Sequence, residues 1–360
     1  MSTATAPRQS AQAPVDNPLT AGQLPSWVTI AVGVAALAVS ALVFTLLDTG
    51  GIALIVVGAV VLFLVVMHII SLAVEGSRRA VDRLAKHVVV TMFLLALLPL
   101  ISVTWTALSH GINRLDPEFF TYSMRNVVGA GGGAAHAVWG TLIITGIATL
   151  ISVPIGLLTA VYLAEYGRGA LARSITFFVD VMTGIPSIVA GLFAYALFTL
   201  VFGPGTINGI AGAVALSVLM IPVVVRSTEE LLRIVPNELR EASYALGVPK
   251  WKTIMRIVIP TAVSGIVAGV ILALARIMGE TAPLMIAAGF TQSMNTNPFS
   301  GQMMTLPVFV FDSYARPGIP REPFWDRAWT GSLTLILIVM LLNLAGRFIA
   351  KRFAPKTGRK

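Results

Sequence analysis

Cysteine is absent from the 360 residues, which excludes a disulfide framework, thiolate metal ligation and a thiol nucleophile. Charge is scarce: 11% of residues are charged and 56% are hydrophobic, whereas a soluble domain carries about 25% charged residues. The mean hydropathy of +0.86 agrees with that imbalance. The chain contains no G-x-x-x-x-G-K-[ST] loop that would cradle nucleotide phosphates, no H-E-x-x-H pair and no nucleophile elbow. The expectation is therefore a chain that is not itself an enzyme and holds no metal or cofactor. The first 26 residues lack the basic cluster and apolar core of a cleavable signal peptide. They read as a disordered cytoplasmic tail.

What is present is a series of long apolar runs. A membrane-spanning helix needs about 20 apolar residues, and eight stretches qualify: 27–47, 52–74, 87–108, 138–163, 175–202, 209–225, 260–289 and 329–348. Backbone polar groups must be satisfied within each segment in lipid, so all eight are expected to be helices and the fold class all-α. The net charge of +9 reflects basic residues placed in short loops, the topogenic pattern of a membrane protein rather than a nucleic-acid footprint.

Loop charge sets the orientation. With the N-terminus inside, the inner loops hold Arg78, Arg79, Arg83, Lys86, Arg168, Arg173, Arg226, Arg233, Arg240, Lys250, Lys252 and Arg256. The C-terminal segment 351–360, with Lys351, Arg352, Lys356, Arg359 and Lys360, reads as a basic cytoplasmic tail. The outer loops hold Arg114, Arg125, Arg316, Arg321 and Arg327, balanced by Asp116, Glu118, Asp312, Glu322 and Asp326. Both ends are thus expected in the cytoplasm. A hairpin with its following loop, 27–86, precedes a core of six spans at 87–350. The glycine tract 129–133 in the first long outer loop reads as flexible.

The stretch 241–260, EASYALGVPKWKTIMRIVIP, carries the most chemistry. Residues 237–246 read as a short helix after Pro236. Gly247 suits the left-handed residue that ends a helix, and Pro249 suits the start of a second one. The product is a helix–turn–helix elbow on the inner membrane surface, over 237–260. Tyr244 and Leu246 stand among charges, as expected of a surface that docks into a partner; an ordinary interfacial linker is the alternative.

Within the seventh stretch, Arg276 and Glu280 are expected inside the membrane, where a charge costs about 2.5–3.5 kcal/mol on insertion scales. Four residues apart, they would share a helix face. Two readings stand side by side: a structural ion pair, or an anion path in which the planar fork of Arg276 meets the anion's oxygens and Glu280 holds or relays it. Arg226, at the end of the sixth stretch, reads on its own as a snorkelling interfacial residue. Asp180 reads as interfacial, and Pro154 and Pro186 as kinks.

The spacing in 241–260 resembles the cytoplasmic EAA signature of ABC importer permeases, with Glu241, Ala242, Gly247, Ile257 and Pro260 on the pattern and Ser243 in place of the second alanine. YLAEYG at 162–167, IPSIVAG at 185–191, RSTEELL at 226–232, REASYALGVPKWK at 240–252 and ARIMGETAPL at 275–284 together resemble the PstA family, permease subunits of the phosphate-specific ABC importer. The resemblance covers 87 to the C-terminus and leaves the first hairpin outside the six-span family core. It implies that Glu241, Ala242, Gly247, Ile257 and Pro260 form the elbow that docks on an ATPase, and that Arg226, Arg276 and Glu280 line the substrate path. It implies four partners in kind: a second permease (PstC-like), two ATPase subunits (PstB-like) that bind the ATP and Mg, a phosphate-binding protein (PstS-like), and the inner membrane itself. The assembled complex would then be an ABC-type phosphate-transporting ATPase. The rival readings are a permease for sulfate or molybdate, an ion-coupled secondary transporter, and a membrane scaffold whose outer loops matter most.

Overall fold

The computed structural model describes residues 24–48 and 51–353; most of the 1–26 tail and the last seven residues of the 351–360 tail lie outside them. All regular structure among the described residues is helical. In chain order the helices are α1 (Ser26–Leu46), α2 (Ile52–Glu75), α3 (Ser77–Gly111), α4 (Pro117–Thr121), α5 (Ala135–Val161), α6 (Gly169–Gly184) and α7 (Ser187–Phe202). There follow α8 (Gly209–Ile234), α9 (Asn237–Ala245), α10 (Lys250–Thr253), α11 (Ile259–Met278), α12 (Ala282–Ala287), α13 (Leu306–Ala315) and α14 (Glu322–Phe353). Two π-helical turns, Tyr162–Tyr166 and Ile254–Val258, continue α5 and join α10 to α11.

Among the described residues, seven helices are long and apolar enough to cross a membrane. The eighth expected span, 175–202, is not one helix. α6 and α7 meet at 108°, because Pro186 cannot continue a helix and pushes Ile185 into an extended conformation (φ −70°, ψ 127°). Counted as one bent span, the pair makes eight.

Two further expectations fail for the same kind of local reason. The loop expected at 75–86 is helical from Ser77 onward. Only Gly76, at φ +83°, breaks the chain, and Ala80 is fully buried on the new helix. The seventh stretch, 260–289, ends as a helix at Met278, and a second short helix starts at Ala282.

The chain forms two compact units, Met1–Val103 and Thr104–Lys360, so the division falls inside α3. In the first unit α1 and α2 pack as a hairpin, with Met67 and Ser71 buried and Ser40 Oγ donating to the Ile55 carbonyl at 2.7 Å. In the second unit α5 lies along α8. Ala148 and Ala213 are fully buried between larger partners Ile144, Leu216 and Met220. Small residues let helices approach closely where lipid supplies no hydrophobic drive.

The segment that joins α3 to α5 is tied to α14 in this unit. The expected flexible tract 129–133 is a clamp: Arg327, fully buried, donates from Nη1 to the carbonyls of Gly129 (2.7 Å) and Gly131 (2.8 Å). Its guanidinium also stacks over Phe324 at 4.5 Å. Arg114 holds the Gly132 carbonyl at 2.9 Å.

Candidate translocation site and coupling elbow

Two backbone breaks and the continuous helix α8 line one cavity of about 200 Å³. The bend between α6 and α7 brings Thr183 and Ser187 to its wall, α8 brings Pro222, and the end of α11 brings Arg276 and Glu280. Broken helices are where membrane transporters expose polar backbone and helix ends to a substrate. Gly191 makes this convergence possible. A Cβ placed there would lie 2.6 Å from Cα of Pro283, so only glycine lets α7 and α12 approach this closely.

The structure brings Arg276 and Glu280 to one cavity but does not pair them. α11 stops at Met278, with Gly279 as its C-cap, so Glu280 sits beyond the helix rather than one turn along it. The shared helix face expected from their spacing is therefore absent. Among the described residues no carboxylate lies within 4.0 Å of the Arg276 guanidinium. A guanidinium at a cavity wall that also carries the Ser187 hydroxyl presents N–H and O–H donors to an anion, while the Thr183 hydroxyl is committed to the Val179 carbonyl at 2.8 Å.

Arg226 behaves differently. It lies within α8, which runs eight residues further, to Ile234, and is not a helix-end residue. It pairs with Asp180 of α6 and donates to Glu229 at 3.2 Å. Glu229 in turn accepts from Arg233 at 2.7 Å. Asp180 is thus a partner of Arg226. Glu229 is buried, and two arginines neutralise it, as a carboxylate in this position requires.

The elbow has the expected geometry. α9 ends at Gly247, φ +71°. The Gly247 N–H bonds the Tyr244 carbonyl at 2.9 Å and the Val248 N–H bonds the Ser243 carbonyl at 3.2 Å, the paired 5→2 and 6→1 bonds of a Schellman motif. Pro249 caps α10 from outside rather than sitting within its first turn. The π-helical turn Ile254–Val258 precedes Pro260. Proline has no N–H and its ring presses on the carbonyl four residues back, and the widened turn absorbs both. Ile257 is half-buried there, and its carbonyl accepts from Thr261 Oγ1 at 2.6 Å.

Glu241 and Ala242 are exposed, as are Leu246 (83%) and Trp251 (63%). These carry the outward face of the elbow.

Sequence reading missed what fastens the elbow to the bundle. Arg240 donates to Glu165 at 2.8 and 3.0 Å and to the carbonyls of Leu232 and Val235 at 2.8 and 2.6 Å. Lys250 bonds the Glu165 carbonyl and lies over the Tyr166 ring at 4.7 Å. Ser243 and Thr253 join their hydroxyls across the turn at 2.8 Å, both buried. The signal was present: Glu165 and Arg240 fall in two of the five motifs and on the same side of the membrane.

The family described as "Binding-protein-dependent transport system inner membrane component" matches residues 152–359. The phosphate transport system permease protein PstA 1 of Mycobacterium tuberculosis is 45% identical over 281 residues, 76% of this chain and 91% of that protein. PstA of Mycobacterium leprae is 44% identical over 287 residues (78% and 92%) and PstA of Yersinia pestis 38% over 283 residues (78% and 93%).

Among solved structures, an inward-facing form of the MetNI methionine ABC transporter matches with a TM-score of 0.52 and 22% identity, over 61% of this chain and 96% of that one. A bacterial alginate ABC transporter matches at 0.52 and 14% identity, over 77% and 97%. These share the fold. The extent and identity of the sequence matches go further: the chain belongs to the binding-protein-dependent transport system inner membrane components, within the PstA family of permease proteins.

Proposed function

We propose that this chain is the permease subunit through which an ATP-driven importer moves inorganic phosphate across the inner membrane. The observation that carries the reading is 45% identity over 91% of the length of a phosphate transport permease. The cavity at Arg276 supports it chemically. A phosphate dianion brought there meets a planar guanidinium able to donate two parallel hydrogen bonds, with the Ser187 hydroxyl on the same cavity wall. Glu280 on the same wall accepts a hydrogen bond from the protonated phosphate oxygen and repels the anion once that proton is lost.

Alternating access then follows from the elbow. Its outward apolar groups, Leu246 and Trp251, dock on one of two PstB-like ATPase subunits, which hold ATP and Mg. Glu241, Ala242 and Gly247 set the contact, and Ile257 and Pro260 carry its motion into α11, the helix whose last turn carries Arg276. The Arg226–Asp180 pair joins α8 to α6 on the inner side of the cavity, so its opening would release the anion to the cytoplasm. A PstC-like permease would close the other half of the path, and a PstS-like binding protein would deliver phosphate from outside.

The test is uptake of labelled phosphate and labelled sulfate by cells lacking their own phosphate importers but supplied with this chain and its partners. ATP-dependent phosphate uptake with no sulfate uptake is expected. Sulfate uptake at a comparable rate, or phosphate uptake that follows membrane potential instead of ATP, would overturn the reading.

A further inference from the structure

Besides α8 and α11, the helices that precede and follow it, the elbow is tied to a third helix, α5. The tie is made through space. The π-helical turn Tyr162–Tyr166 at the end of α5 presents Glu165 to Arg240 at 2.8 and 3.0 Å, and Lys250 bonds the Glu165 carbonyl and lies over the Tyr166 ring. The Glu165 and Arg240 side chains are largely buried, so water and salt screen this pair far less than a surface pair. Both π-helical turns among the described residues, Tyr162–Tyr166 and Ile254–Val258, thus lie at the elbow, and such turns gather at functional sites.

At its opposite end α5 is tied just as directly. The buried Thr141 Oγ1 accepts the Leu306 N–H at 2.7 Å, and Gly140 lies so close to Met304 that a Cβ there would overlap the Met304 carbonyl. Residues 297–306 form a strap that reaches this point from α12. The Met303 N–H bonds the Ala288 carbonyl at 2.9 Å, and the Ile210 N–H bonds the Pro298 carbonyl at 2.9 Å. The Asn295 amide donates to the carbonyls of Ser300 and Gln302, both at 2.9 Å. α12 in turn begins two residues after the cavity-lining Glu280. Between its two ties α5 and its π-helical turn form one helical rod, Ala135–Tyr166. About 36 Å of helix separates Thr141 from Glu165 at 1.5 Å per residue. A close-packed rod with buried ties at both ends transmits displacement rather than absorbing it.

We propose that α5 is a lever that carries the elbow's movement to the strap 297–306, and through the strap to α12. Glu165 and Thr141 are its positioning residues, one at each end. The cavity is then moved from two sides, by α11 at Arg276 and by α5 through the strap at α12. This rests on the ATP-driven reading above but not on the identity of the anion.

The chain has no cysteine, so a single introduced one reports on the strap. The permease–ATPase complex carrying Ser300→Cys, an exposed strap position, is placed in nanodiscs. Labelling of this chain by a water-soluble maleimide is timed with and without ATP and vanadate. ATP and vanadate should change the labelling rate several-fold when α5 is otherwise intact. Glu165→Gln with Arg240→Gln should remove that change, while the rate without ATP and the amount of bound ATPase stay as they were. Thr141→Val, which removes the acceptor of the Leu306 N–H, should remove the change from the other end of the rod. A full ATP-induced change in either variant would overturn the lever alone. So would a raised rate without ATP in the glutamine pair, which indicates a merely structural tie. No ATP-induced change with α5 intact would overturn the lever together with the ATP-driven reading. The readout contains no phosphate, so a wrong anion assignment leaves it unmoved and shows only in uptake.

Discussion

At the scale of single residues, the arginines divide by their partners. Arg226 and Arg240 are committed: the first to Asp180 and Glu229, the second to Glu165 and two carbonyls. Arg276 has no carboxylate within ion-pair distance among the described residues. That division was not legible in the sequence, where Arg226 read as the end of a span, Arg240 as part of the elbow and Arg276 as a charge inside a span. The spacing of Arg276 and Glu280 pointed to an ion pair only on the assumption of a continuous helix, and Gly279 removes that assumption.

The Glu165–Arg240 pair yields a prediction of its own. The side chains are 4% and 13% exposed, and removing one partner of such a pair costs about 3–5 kcal/mol because the other charge stays buried. Arg240→Ala should therefore lower the thermal midpoint of the purified complex. Glu165→Gln combined with Arg240→Gln should recover most of the loss. A scanning-calorimetry or fluorescence melt that shows Arg240→Ala unchanged would contradict the fastening role.

At the scale of elements, hydropathy located the spanning helices and the elbow motif located α9 and its turn. Bends were less legible, since a window average registers apolar length and not direction. The chain nevertheless carried the local causes, with Pro186 at the bend and Gly279 at the end of α11. Charges at 78–86 suggested a loop because they are polar, yet a helix carries a polar face as readily as a loop does.

Two predictions belong here. Gly247→Val places a β-branched residue at φ +71°, a strain of about 1–3 kcal/mol. It should reduce ATP-driven uptake and ATPase co-purification at unchanged membrane insertion. Gly247→Asn, which tolerates that conformation, should be milder; full uptake by the valine variant would exclude the Schellman turn as part of coupling. Gly191→Ala forces α7 away from Pro283, with an overpacking cost of about 1–3 kcal/mol. Because α7 begins at the cavity-lining Ser187 and α12 follows the cavity-lining Glu280, transport rate should fall more than complex yield does, as seen by comparing initial uptake with the amount of assembled complex. Equal falls in both would make the contact purely structural.

At the scale of the whole molecule, the account joins an outward docking elbow to an anion cavity through α11. Its topology requires the elbow to face the cytoplasm. Reporter fusions at Ser77, Asn237 and Lys360 should all report an inner location, and an outer signal at Asn237 would break the link between ATPase and cavity. The central claim is that phosphate passes Arg276. The most direct measurement is ATP-driven phosphate uptake into proteoliposomes holding the complete complex, with assembly followed in parallel. It compares the intact chain with Arg276→Gln, Arg276→Lys and the pair Arg276→Gln with Glu280→Gln. The account predicts near-complete loss of uptake with Arg276→Gln, a large loss with Arg276→Lys because a point charge lacks the bidentate fork, and no recovery in the pair. Full uptake in the paired variant would contradict it and leave Arg276 a structural residue.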